Sequence, residues 1–188
     1  LVQGDTLGGG LESALLHHNV IFERSAQAGF PEVLFNLFPG MGAWHLAIRK
    51  AGMAVATDMI LSGQIYTAEQ LQRRGLVDLV VDDGEGEIAL EKMVRSVAPR
   101  MRGTLAALQA RRVAAPITYE SLQTVVDLWA VTALTLADRD LRLMERLARA
   151  QVRKVGGDNE GAVEEIKRME LDTAWGFERT GLSEWSTL

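Results

Sequence analysis

The sequence predicts an α/β fold in which short strands alternate with helices, and three observations carry that reading. Brief apolar runs, Val20-Ile21-Phe22-Glu23 and Leu76 to Val81, are bounded by turn residues, as buried strands are. Other stretches follow helical spacing, as Leu11, Ala14, Leu15 and His18 do. Tyr119 to Lys154 contains neither proline nor glycine, so it can form one long helix or two.

Taken in order, Leu1 to Gln3 reads as a strand end, Gly4 to Gly10 as a loop and Leu11 to His17 as a helix. Val20 to Glu23 is a strand. Ala28 to Gly40 is an irregular apolar segment punctuated by Pro31 and Pro39, with Pro31 suited to open a short helical turn. Two helices, Ala43 to Ala51 and Ala54 to Leu61, meet at Gly52 and stop at Ser62-Gly63. Thr67 caps the next helix, with Gln70 three residues on reaching back to it, and Gly75 ends it in the left-handed conformation. Leu76 to Val81 is a strand, Glu87 to Ala98 a helix stopped by Pro99, and Met101 to Val113 another helix. Gly156-Gly157-Asp158-Asn159 reads as a linker to a short amphipathic helix, Ala162 to Leu171, and a tail with Trp175 and Trp185. The expected organisation is a core over 1–115, a helical region over 116–154, and a linker and tail over 155–188 to which no role is assigned.

Composition narrows the chemistry. At 188 residues and 47% apolar content the chain can bury one good core. A net charge of −5 with interleaved basic and acidic residues gives no footprint for nucleic acid. The absence of cysteine excludes disulfides, thiolate nucleophiles and cysteine metal sites. No run approaches the roughly 18 apolar residues of a membrane span, and the expected location is the cytoplasm. His17, His18 and His45 have no carboxylate at metal-ligand spacing, so no metal is expected, and no cofactor is implied. Leu1-Val2-Gln3-Gly4 looks like a strand entered from upstream, and sequence before Leu1 is expected.

The candidate chemistry lies in two glutamates. Glu12 follows Gly8-Gly9-Gly10-Leu11, and Glu32 sits in Gly29-Phe30-Pro31-Glu32-Val33 before Pro39-Gly40-Met41-Gly42. A carboxylate can move a proton on and off carbon beside a carbonyl only if something holds the enolate charge, and backbone N–H groups exposed by glycine can do so. Either glutamate alone also fits an ordinary first-turn acid favoured by the helix dipole. Together, in apolar surroundings that raise carboxyl pKa values, they fit an acid/base pair.

These motifs, with Leu61-Ser62-Gly63, Ala68-Glu69-Gln70-Leu71 and Gly75-Leu76-Val77-Asp78, resemble the enoyl-CoA hydratase (crotonase) superfamily from Leu1 to about Lys154. Within it the chain is most similar to the diffusible signal factor synthases of bacterial quorum sensing, through Pro31 to Ala43 and Asp83-Gly84-Glu85-Gly86-Glu87. Where ordinary hydratases carry a Gly-Gly-Thr-Gln-Arg stretch, this chain has Gly42-Ala43-Trp44-His45. The resemblance implies a spiral of ββα turns, with C-terminal helices that cover the acyl pocket or support a trimer. It implies that Gly9 offers one oxyanion N–H, that a loop upstream offers the other, and that Glu12 and Glu32 are the acid/base pair. Leu7, Gly8, Gly10, Met41, Trp129, Leu143 and Leu147 are the expected substrate-binding residues.

The implied reaction is dehydration of a 3-hydroxyacyl group on acyl carrier protein to a cis-2-enoyl thioester, then hydrolysis to the free acid. One alternative is an enoyl-CoA hydratase or isomerase acting on a CoA thioester. The other is a non-catalytic member of the fold that binds the receiver domain of a sensor kinase.

Overall fold

The computed structural model describes residues 1–154. The expected linker at Gly156 to Asn159, the helix at Ala162 to Leu171 and the tail tryptophans lie outside the described residues. Leu1–Ala148 form one compact unit and Arg149–Leu188 a second, of which only the end of the last helix is described.

The chain runs β1 (Thr6–Leu7), α1 (Gly9–Leu15), β2 (Ile21–Glu23), β3 (Gln27–Gly29), a 3₁₀ turn (Pro31–Phe35), α2 (Ala43–Ala51) and α3 (Met53–Ser62). It continues with β4 (Ile65–Thr67), α4 (Ala68–Arg73), β5 (Leu79–Val81), α5 (Gly86–Val97), α6 (Met101–Ala114), α7 (Tyr119–Ala133) and α8 (Asp138–Lys154). Two small sheets result. One has the order β1-β3-β4, with β1 parallel and β4 antiparallel to β3, and the other pairs β2 with β5 in parallel.

Most expected helices are present, with ends shifted by a residue or two. Three strands were not expected. Thr6–Leu7 falls in the segment read as a loop, Gln27–Gly29 overlaps the segment read as irregular, and Ile65–Thr67 precedes the capped helix. Leu1 to Gln3 contributes a single parallel bridge, Val2 to Phe22, rather than a strand. The strand expected over Leu76 to Val81 shortens to Leu79–Val81, because Leu76 and Val77 belong to the turn after α4. Pro99 does not end the helical path; it sits in a 3₁₀ turn, Ala98–Arg100, leading into α6. The proline-free stretch divides into two helices.

Local chemistry explains several of these joints. Thr67 Oγ1 accepts from Gln70 N at 3.3 Å while Gln70 Oε1 accepts from Thr67 N at 2.9 Å, which is the expected capping box. Gly75 takes φ +82° after α4 and Gly63 takes +65° after α3, a conformation costly for other residues. Asp78 Oδ2 accepts from Val20 N and from Lys50 Nζ, both at 2.7 Å, joining the start of β2 to α2.

The core lies between the sheets and α1 to α4. Leu11, Phe22, Phe30, Met59, Leu71 and Leu76 are fully buried in it. By contrast α6 and α7 have no buried residue, and they expose Leu105, Val126, Leu128 and Val131.

Candidate active site

Glu12 projects from α1, on the face that also buries Leu11 and Leu15, and is only 3% exposed. Its Oε1 accepts from Met41 N and from Ala43 N, each at 2.8 Å. Ala43 opens α2, so its N–H has no acceptor within that helix, and the carboxylate satisfies it. Gly42, at φ +111°, shapes the turn that aims both amides at one oxygen. Even so, the Glu12 carboxyl is pushed above its ordinary range, because burial outweighs the two amide bonds.

Glu32 is the second residue of the 3₁₀ turn opened by Pro31. Its Oε2 is buried and has no hydrogen-bond partner. Burial, opposed by its own backbone N–H and assisted by the Glu12 charge, pushes its pKa up to about 7. A structural carboxylate looks different. Glu23, only 5% exposed, accepts from Gln3 Nε2 and from Gly86 N, and backbone hydrogen bonding, led by that of Gly84, holds it below the usual range.

Adjacent glycines separate the two acids. A Cβ on Gly8 would collide with Glu32 Oε1, and one on Gly9 would lie 2.5 Å from Met41 Cε and 3.9 Å from Glu12 Oε2. Gly8 has φ +55° and donates its N–H to Gly29 O at 2.9 Å, which anchors the turn to β3. Gly9 is the first residue of α1, a position whose N–H has no acceptor inside the helix. The Gly8-Gly9 turn thus has a carboxyl of raised pKa near each of its glycines. The arrangement can take a proton from one atom of a ligand and give one to another.

The remaining expected residues separate into groups. Met41 reaches Gly9, and Trp129 on α7 packs against Gly40, the residue before it. Gly10 faces Thr6 Oγ1, and Leu7 is half-buried in β1 opposite Gly29. Leu143 and Leu147 are half-buried on α8. A cavity of about 420 Å³ adjoins the turn, and of the residues expected to line the acyl slot only Met41 borders it. Arg49, Arg111, Arg112 and His45 also line it, and the sequence reading passed over their grouping. Among the described residues no group of three or more His, Cys, Asp or Glu could hold a metal ion, and no helix is long and apolar enough to cross a membrane.

A family model for enoyl-CoA hydratase/isomerase matches residues 1–133. The chain belongs to the enoyl-CoA hydratase/isomerase family. It is 36% identical over 111 residues to the 2,3-dehydroadipyl-CoA hydratase of Escherichia coli K12, a match covering 59% of this chain and 42% of that protein. The fold is that of an enoyl-CoA hydratase from Mycobacterium smegmatis, with TM-score 0.60, 25% identity, and 70% of this chain and 61% of that one covered. The structure of Pseudomonas aeruginosa DspI matches with TM-score 0.54 and 36% identity over 66% of this chain and 54% of that one. The chain thus spans about two fifths of the length of the Escherichia coli relative. The crotonase-type α/β fold expected from the motifs is the one found.

Proposed function

We propose that this enoyl-CoA hydratase/isomerase family member removes water from a 3-hydroxyacyl thioester and then hydrolyses the thioester to a free cis-2-enoic acid. The observation that carries the reading is the pair of carboxyls with raised pKa, Glu12 and Glu32, set against neighbouring glycines. One takes the proton from C2 while the other protonates the departing 3-hydroxyl, and the product is an enoyl thioester and water. The thioester oxygen gathers negative charge in the transition state, and the Gly9 N–H, which has no acceptor inside α1, is the proposed donor to it. A glutamate then activates water against the thioester carbon, which releases the acid and the thiol.

Acyl carrier protein is the proposed carrier, on the resemblance of Pro31 to Ala43 to the signal factor synthases. The competing reading, reversible hydration of a CoA thioester, draws support from the named activity of the Escherichia coli relative. The test offers the full-length protein 3-hydroxydodecanoyl-acyl carrier protein and the matching CoA ester. Free cis-2-enoic acid from the carrier-protein substrate supports the synthase. Reversible hydration of the CoA ester alone contradicts it.

Met41 and Trp129 are proposed to wall the acyl group, because they touch the glycines of the two site turns. Exposed apolar side chains on α6 and α7, with Leu128 at 58% and Val131 at 63%, support a homo-oligomer in which those faces are covered.

A further inference from the structure

The chain has no cysteine, so its seven methionines hold all of its sulfur. Met59 is fully buried in the core, whereas Met41 and Met53 are the most exposed methionines among the described residues, at 66% and 60%. Met41 borders the cavity beside the site and Met53, at the start of α3, does not.

Met41 is held where it stands. Its N–H donates to Glu12 Oε1 at 2.8 Å, Trp129 packs against Gly40 on one side of it, and Gly42 turns the chain at φ +111° on the other. Its Cε lies 2.5 Å from the point a Cβ on Gly9 would occupy, and Glu12 Oε2 lies 3.9 Å from the same point. The thioether therefore has its methyl against the proposed oxyanion donor while most of the residue is open to solvent. An oxidant has access to the sulfur, and the pinned backbone keeps the oxidised side chain at the site.

The chemistry needs a peroxide as oxidant. The sulfur lone pair attacks one peroxide oxygen and an S–O bond forms as the O–O bond breaks. The departing hydroxide takes the proton of the transferred oxygen and leaves as water, so the thioether loses two electrons and the peroxide gains them. A flexible apolar side chain becomes a polar one with a strong acceptor oxygen.

We infer that Met41 is a reversible oxidation site whose sulfoxide closes the site beside Gly9. Rotation about the last side-chain bonds brings the new oxygen within reach of the Gly9 N–H, where it competes with the substrate's thioester oxygen. The same oxygen is a polar group in the space proposed for the acyl chain and the negative end of a dipole beside the Glu12 carboxyl. The inference rests on the Glu12 and Glu32 reading of the reacting site, whichever carrier the thioester has.

The test treats the full-length protein with hydrogen peroxide, removes the peroxide by gel filtration, and follows oxidation of each methionine by peptide mass mapping. Dehydration of the 3-hydroxyacyl thioester should slow about tenfold or more, in step with the fraction of Met41 sulfoxide. Met41→Leu should keep most of its own untreated rate, and Met53→Leu should lose as much as the native protein. The two sulfoxide reductases, one for each epimer, should return the native rate. Turnover that survives full oxidation of Met41 overturns the inference. So does a Met41→Leu variant that loses as much as the native protein, or a Met41 that stays a thioether where Met53 is already oxidised.

Glu32→Gln keeps Met41 and separates the two claims. Its affinity for 3-hydroxydodecanoyl-CoA, read by calorimetry, should fall about three- to tenfold once Met41 is oxidised. Native turnover by untreated Glu32→Gln contradicts the acid/base reading and leaves the oxidation site standing. An affinity unmoved by Met41 oxidation contradicts the oxidation site alone.

Discussion

Asn36 Nδ2 donates to Asp140 Oδ1 at 2.8 Å across 104 residues of sequence. Asn36 ends the Glu32 turn in the left-handed conformation, at φ +58°, and Asp140 also accepts from Ala137 N at 3.0 Å at the start of α8. One carboxylate therefore ties the beginning of a C-terminal helix to the turn that carries Glu32. Trp129 packs on Gly40 at the other end of the same segment.

Asp140→Ala removes the acceptor for both donors, so the Ala137 N–H at the start of α8 and the Asn36 amide each lose their partner. We expect Tm to fall by about 2–4 °C. Activity should fall through KM and kcat together, because the Glu32 turn loosens rather than losing a reacting group. Asp140→Asn, which keeps one acceptor, should recover most of both in thermal melts and steady-state assays.

The two glycines separate strain from function. Gly8→Ala places a side chain at positive φ and against Glu32, at a cost of roughly 1–3 kcal/mol, read by chemical denaturation. Gly9→Ala has no such backbone penalty and meets only the flexible end of Met41, so its stability should stay near the native value. Its methyl would stand beside Glu12 Oε2, in the space proposed for the ligand, and turnover should fall at least as far as in Gly8→Ala.

The motifs that mark the site were legible because glycine and proline constrain the backbone strongly. Gly8-Gly9, Pro31 and Pro39-Gly40 announce turns, and turns fix where Glu12 and Glu32 sit. The strands Thr6–Leu7, Gln27–Gly29 and Ile65–Thr67 were hidden because two or three residues show no alternation. They exist because neighbours pair with them; at Gly29 the approach of Gln64 and Ile65 leaves no room for a side chain. The break between α7 and α8 carries no glycine or proline, and Asp140 marks it only through its bond to Ala137. Arg49 joins Arg111 and Arg112 only through tertiary packing, which no local spacing encodes.

The protonation of Glu32 should appear in stability as well as rate. Its folded pKa, about 7, exceeds its ordinary value of 4.5, so folding takes up a proton between those values. The contribution is fully present below pH 4.5 and is lost as pH rises through about 7. Glu32→Gln should therefore melt a few degrees above the native protein at pH 8, with the gap closing toward pH 4. The profile of kcat/KM should bend near pH 7: a rising limb identifies Glu32 as the base, a falling one as the acid.

Joint action of Glu12 and Glu32 on one ligand beside the Gly8-Gly9 turn is what the site geometry supports. Its most direct measurement is the single-turnover rate of 3-hydroxyacyl thioester dehydration by full-length Glu12→Gln, Glu32→Gln and the double variant, each verified as folded. Each single variant should lose about 100-fold or more, and the double variant much less than the product of the two losses. Native rates in either single variant would contradict it.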